Sequence, residues 1–116
     1  MSERFRGVLE RMTRIGGVRG ALVVTADDGL VVADALMEGI RGNAVAALAA
    51  NLMKRFNRVS NAATAGGLRF LHLQADGGTL IIVPAPTGVL VVTIGGPEMN
   101  VGLARLEMLR AIEVVE

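Results

Sequence analysis

Apolar residues recur along this chain with two different periods, and the points where the period changes divide it into elements. Phe5, Val8, Leu9, Met12 and Ile15 return every three or four residues, with Glu3, Arg6, Glu10, Arg11 and Arg14 opposite. This spacing predicts an amphipathic helix over Ser2–Ile15, ended by Gly16-Gly17. Arg19–Ala26 and Leu30–Ala35 are apolar, β-branched runs around Asp27-Asp28-Gly29, and together predict a hairpin in which glycine supplies the positive φ. Both runs are apolar on alternate positions of either parity, so the sheet is expected to be covered on each side.

The longest helical pattern is Asn43–Ala65. At ~100° per residue, Val45, Leu48, Ala49, Leu52, Met53, Phe56, Val59 and Ala63 fall on one face, which is expected to be buried. Asn43 is the expected cap of the first turn and Gly66-Gly67 the stop. Ala44, Ala46, Ala47 and Ala50 stand where a solvated helix would carry Glu or Lys, so a second packing partner is expected on that side. Only the second half turns polar, with Asn51, Lys54, Arg55, Asn57, Arg58 and Asn61 gathered away from the expected core.

Beyond the glycines, Leu68–Ala75, Thr79–Val83 and Val89–Ile94 are strand-like runs separated by Asp76-Gly77-Gly78 and by Pro84-Ala85-Pro86-Thr87-Gly88. They predict a three-stranded antiparallel meander, the prolines marking a strand end because proline has no place in a central ladder. Glu98–Val115 is the last expected helix, with a core stripe of Val101, Ala104, Met108, Ala111, Ile112 and Val115. Leu103, Leu106 and Leu109 form a second row that either meets the first helix or serves a partner. The order is αββαβββα, an α+β fold in one domain over residues 1–116.

Composition removes several function classes. Lys and Arg total 12 and Asp and Glu 11, a net charge of +1, so no overall field draws the chain to nucleic acid or to an anionic membrane. Three Phe with no Tyr or Trp offer no platform for stacked bases. The lack of Cys rules out disulfides and thiolate chemistry and fits a cytoplasmic protein. Gly77–Pro97 carries no charge and is about as long as a membrane span. Its Pro84, Pro86 and Gly88 interruption and its Val, Ile and Thr content favour two buried strands instead.

No catalytic constellation is legible. His72, the one histidine, sits among Phe70, Leu71 and Leu73 without the partners of a triad or a metal site. Asp27, Asp28 and Asp76 precede glycines between strands, where turn geometry alone calls for Asp. Fifteen glycines include neither G-x-x-x-x-G-K-[ST] nor a G-x-G-x-x-G after a strand. No cofactor, metal or intrinsic enzyme activity is therefore expected. The Ala-rich half of the Asn43–Ala65 helix remains, and its economical cover is a second copy of the same helix, brought up by a two-fold axis.

The stretches Gly17–Thr25, Asp28–Ala33, Ala44–Val59, Gly78–Pro84 and Asn100–Met108 resemble those of the Roadblock/dynein-light-chain family, and within it the bacterial MglB-like members. The resemblance implies a five-stranded antiparallel sheet in the profilin-like Roadblock architecture, with the central helix on one face and the two terminal helices on the other. It implies a homodimer made by the central helices and the Leu68–Ala75 strand, through Ala46, Ala47, Ala50, Leu68, Phe70, Leu71, His72 and Leu73. It further implies a partner or regulator of a small Ras-like GTPase; stimulation of GTP hydrolysis is the leading expectation, with docking through Asn51, Lys54, Arg55 and Arg58, which share the polar face of the helix. A dimerisation scaffold in a signalling or motility assembly, and a ligand-sensing domain of the PAS or profilin-like kind, are the alternatives. The nearly all small, apolar sheet residues argue for a filled core over a sensor pocket.

Overall fold

A computed structural model describes the backbone of residues 2–115 and the side chains of residues 5–113. The elements run α1 (Ser2–Thr13), β1 (Val18–Thr25), β2 (Val31–Leu36), α2 (Gly42–Ala62), β3 (Leu71–Ala75), β4 (Gly78–Pro84), β5 (Val89–Gly95) and α3 (Val101–Val115). The five strands form one antiparallel sheet in the order β2-β1-β5-β4-β3. The αββαβββα order is as the pattern predicts and the single five-stranded sheet is as the resemblance implies; β5 inserts between β1 and β4, so the hairpin and the meander share one sheet.

Strand alternation distributes the core to both faces. Ala21, Val23, Ile81, Val83 and Val91 point to one side, where Phe5, Val8, Leu9 and Met12 of α1 and Ala104, Met108 and Ala111 of α3 cover them. Leu22, Val24, Ile82, Leu90 and Val92 point to the other, against Ala46, Ala49, Ala50 and Met53 of α2. The α3 stripe is therefore the expected one, with Val101 and Ile112 at its margin; the side chains of Glu3 and Val115 lie outside those described. Leu103, Leu106 and Leu109 are exposed, so this row does not serve the α1 contact.

The face that α2 buries differs from expectation. Its sheet contact is Ala46, Ala49, Ala50 and Met53, whereas Leu48, Phe56 and Val59 are 62%, 41% and 60% exposed. The physical reason is a close approach by the β1–β2 turn. Gly29, at φ +68, lies so near that a Cβ built on it would stand 2.8 Å from the Ala47 Cα and 3.3 Å from the Ala50 Cβ. Leucine on that line of the helix would hold the turn away, so the alanines face inward and the longer side chains are displaced outward.

The ends of α2 also depart from expectation. The helix starts at Gly42 with Arg41 as N-cap and no side-chain cap bond, so Asn43 falls inside the first turn. The Asp34 carboxylate lies beside that turn, its Oδ2 3.6 Å from the Cβ position of Gly42, where the helix dipole favours negative charge. At the other end the helix stops at Ala62, before the glycines. Thr64 takes φ 58 and Gly66 φ 84, while Ser60 Oγ donates to the Gly66 carbonyl and the Leu68 N–H donates to Asn57 Oδ1. Those bonds hold 63–70 as a connection, and β3 begins at Leu71 instead of Leu68.

The Gly29 contact yields a direct stability test. Gly29→Ala is expected to lower unfolding free energy by roughly 2–4 kcal/mol, from left-handed strain and overpacking together. Gly77→Ala, where an added Cβ meets nothing within 4 Å, is expected to change it by about 0.5 kcal/mol or less. Denaturant midpoints measure both, and equal midpoints would contradict the contact.

Candidate functional site

The layer formed by α2 covers only part of its sheet face, because it packs on β1 and β2. On the β3 and β4 side, Leu71 and Leu80 are half-buried and Leu73 is exposed. A depression of about 220 Å³ opens there, lined by Leu73, Leu80 and Ile94 with Gly78 and Arg19 at its end. The Arg19 guanidinium donates to the Gly77 carbonyl and closes that end. Leu48, Leu52, Phe56 and Val59 lie on one flank of α2, about a quarter to a third of a turn from its sheet contact at the helical period. Their row makes a long apolar patch on a surface where singly scattered apolar residues are ordinary.

The residues expected to form a self-contact separate accordingly. Ala46 and Ala50 are 0% and 3% exposed against the chain's own sheet. They are unavailable to a second copy, which corrects that expectation; only Ala47 of the three is open to solvent. Leu68 is half-buried against the α2 side of the core, again within the chain. Leu71 and Leu73 project on the α2 side of β3, paired with Ile82 and Leu80. His72 projects on the opposite side, paired with Ile81, and is exposed. Phe70 lies outside the strand and carries the Arg105 guanidinium 4.8 Å above its ring centre, a cation–π contact that ties α3 to the β3 edge.

Asn51, Lys54, Arg55 and Arg58 are all exposed, on the flank of α2 away from Leu52 and Phe56. Two are held in place: the Lys54 ammonium donates to the Asp27 carbonyl of the β1–β2 turn, and Arg55 Nε donates to Asn51 Oδ1 one turn earlier at 3.4 Å. The cationic face is thus built on a helix and braced by the hairpin, with no loop to carry an arginine outward. Below it, Met53, Leu68, Pro84 and Leu90 line a cavity of about 200 Å³ with Lys54, Asp27 and Asn57 at its rim. Among the described residues no group of three or more His, Asp or Glu gathers as metal ligands. No helix among them is long and apolar enough to cross a membrane.

A helix-sheet-helix sandwich with one incompletely covered face defines a particular architecture, and residues 5–94 match the Roadblock/LC7 domain. The chain belongs to the Roadblock/LC7 family. An uncharacterized protein of Methanocaldococcus jannaschii is 32% identical over 109 residues, covering 94% of this chain and 91% of that protein. Among solved structures, Myxococcus xanthus MglB shares the fold with a TM-score of 0.87 at 17% identity, over 97% of this chain and 85% of its own. The gliding protein MglB of Thermus thermophilus does so with a TM-score of 0.85 at 22% identity, over 97% and 86%. The fold of this Roadblock/LC7 chain is MglB-like.

Sequence pattern alone missed Leu48, Phe56 and Val59 as surface residues, with Leu52 half-buried among them. The signal lay in the glycines: Gly29 and Gly42 flank the alanine line, and small residues on both sides of a contact mark close backbone approach. A pair of substitutions separates the two faces of α2. Ala50→Glu is expected to destabilise the fold by roughly 3 kcal/mol or more, since it buries a charge without a partner. Leu48→Glu, at a residue already 62% exposed, is expected to leave the circular dichroism spectrum and the denaturant midpoint nearly unchanged. The reverse pattern would place the leucine face inward.

Proposed function

We propose that the chain works in the cytoplasm as a single-domain, homodimeric regulator of a small Ras-like GTPase, raising its rate of GTP hydrolysis. The observation that carries this reading is the uncovered apolar half of the sheet beside a braced cationic helix face. Two copies related by a two-fold axis would each lay Leu48, Leu52, Phe56 and Val59 over the other's Leu71, Leu73 and Leu80. Edge strand β3, otherwise free on its outer side, would pair with its own copy, closing the β3 edge of each chain. The same axis would bring two sets of Asn51, Lys54, Arg55 and Arg58 onto one platform, to which a GTPase could dock as a single partner. Membership of the Roadblock/LC7 family and the MglB-like fold support this reading.

Activation of a GTPase takes either an inserted arginine or contacts that hold the GTPase's own catalytic groups in place. Arg55 and Arg58 lie on a helix flank, and Lys54 is tied to Asp27, so these residues suit docking more than insertion. Neutralising both as Arg55→Gln with Arg58→Gln is expected to weaken complex formation about tenfold or more. Stimulated hydrolysis should return at saturating regulator. Titration of the small GTPases encoded in the same genome, followed by single-turnover GTP hydrolysis, measures both. Unchanged affinity with lost stimulation would make one of them an arginine finger, and complex formation without stimulation by the wild type would make the protein a scaffold.

A further inference from the structure

Strand β2 forms the other edge of the sheet, bonded only to β1, and the surface proposed for self-association leaves it free. The Met37 N–H donates to the Arg19 carbonyl, and β2 pairs through Ala35 with Ala21 and through Ala33 with Val23. In an antiparallel ladder successive residues turn their amides to alternate sides. Those of Ala33 and Ala35 therefore face β1, and the N–H and C=O of Asp34 and Leu36 face outward. Proteins usually blunt such an edge with lysine, proline, a bulge or a covering element, and β2 has a bulge at Val32, where the pairing steps from Ala33 to Val31, which leaves Ala33–Leu36 as its regular stretch. Here the strand Val-Val-Ala-Asp-Ala-Leu has one charge and no proline.

Directly beside this edge, between α1 and β2, runs a groove of about 400 Å³ lined by Arg6, Leu9, Glu10 and Thr13 of α1 and by the Val32–Ala35 stretch of β2, Asp34 included. Its floor is apolar and its α1 wall carries the charges. The two alanines are short and on the α1 side of the sheet, so they leave space above themselves for larger side chains from a neighbouring strand. Asp34 points to the opposite side, is exposed and has no ion pair among the described residues. A symmetric self-pairing of β2 would set Asp34 against its own copy or against an apolar residue, never against a cation. The charge thus selects a different chain.

We propose that the β2 edge and the groove under α1 form a docking site for an extended segment of a partner protein, alternating apolar residues with a basic one set against Asp34. Main-chain bonds to Asp34 and Leu36 supply affinity by strand addition, and alternate side chains supply specificity. Residues opposite Ala33 and Ala35 enter the groove above Leu9, while the intervening lysine or arginine lies across the sheet edge from Asp34.

The probe is a fluorescent, end-capped peptide alternating valine and lysine, titrated into the full chain and followed by anisotropy. Binding is expected to weaken roughly tenfold in Asp34→Lys, which reverses a cross-strand charge pair. A valine–glutamate peptide, silent with the wild type, is expected to bind that variant. Methylating the peptide nitrogens of one parity, which removes donors to the edge without altering charge, is expected to abolish binding, and methylating the other parity to leave it. Failure of the valine–lysine peptide to bind at millimolar concentration, equal affinity for wild type and Asp34→Lys, or indifference to methylation in both parities would each overturn the proposal. Because Asp34 also stands beside the first turn of α2, it is the methylated peptides, which leave the chain unaltered, that separate this site from GTPase docking at α2.

Discussion

Everything about this molecule's surface follows from how closely α2 sits on its sheet. Four small or flexible side chains, Ala46, Ala49, Ala50 and Met53, make that contact, and Gly29 packs its backbone against the same helix. Close packing at native density leaves no room for leucine there. The helix is consequently drawn down over β1 and β2, and its leucine and phenylalanine flank is turned toward the half of the sheet it does not cover. A helix that approached through its larger residues would stand farther out and leave no such seam.

The proposed function grows from that offset. A small domain has few elements with which to cover a two-faced sheet; α1 and α3 cover the middle of one face, and α2 takes part of the other. The remaining apolar surface and the open β3 edge lie side by side, so one partner can satisfy both, and a second copy carries complementary groups by symmetry. The cationic flank of α2 is positioned by the same packing, since Lys54 reaches the Asp27 carbonyl only because the β1–β2 turn is held against the helix. Regulation by docking suits such a surface. Its charges are anchored on rigid elements.

Much of this was legible in the chain itself. Unbroken apolar runs at Leu22, Val23 and Val24 and at Ile81, Ile82 and Val83 announced strands buried on both faces, and the 3.6-residue recurrence announced three helices. The basic residues at 54, 55 and 58 could be placed on one exposed helix flank by spacing alone. The inward face of α2 was not legible from hydropathy, which ranks leucine above alanine and takes no account of how near a backbone must come. The start of α2 was hidden for a related reason: Asn43 looks like a cap, yet Asp34 from another strand stands beside the first turn. The fit of Gly29 against Ala47 and the bond from Lys54 to Asp27 are tertiary and join distant parts of the chain, so no local pattern reports them.

Sedimentation equilibrium of the unmodified chain decides whether the half-covered sheet is closed by a second copy, on which the proposed regulation rests. A two-chain mass is expected at low micromolar concentration, persisting in high salt because the contact is apolar. A single species of 12.1 kDa at tens of micromolar would contradict it.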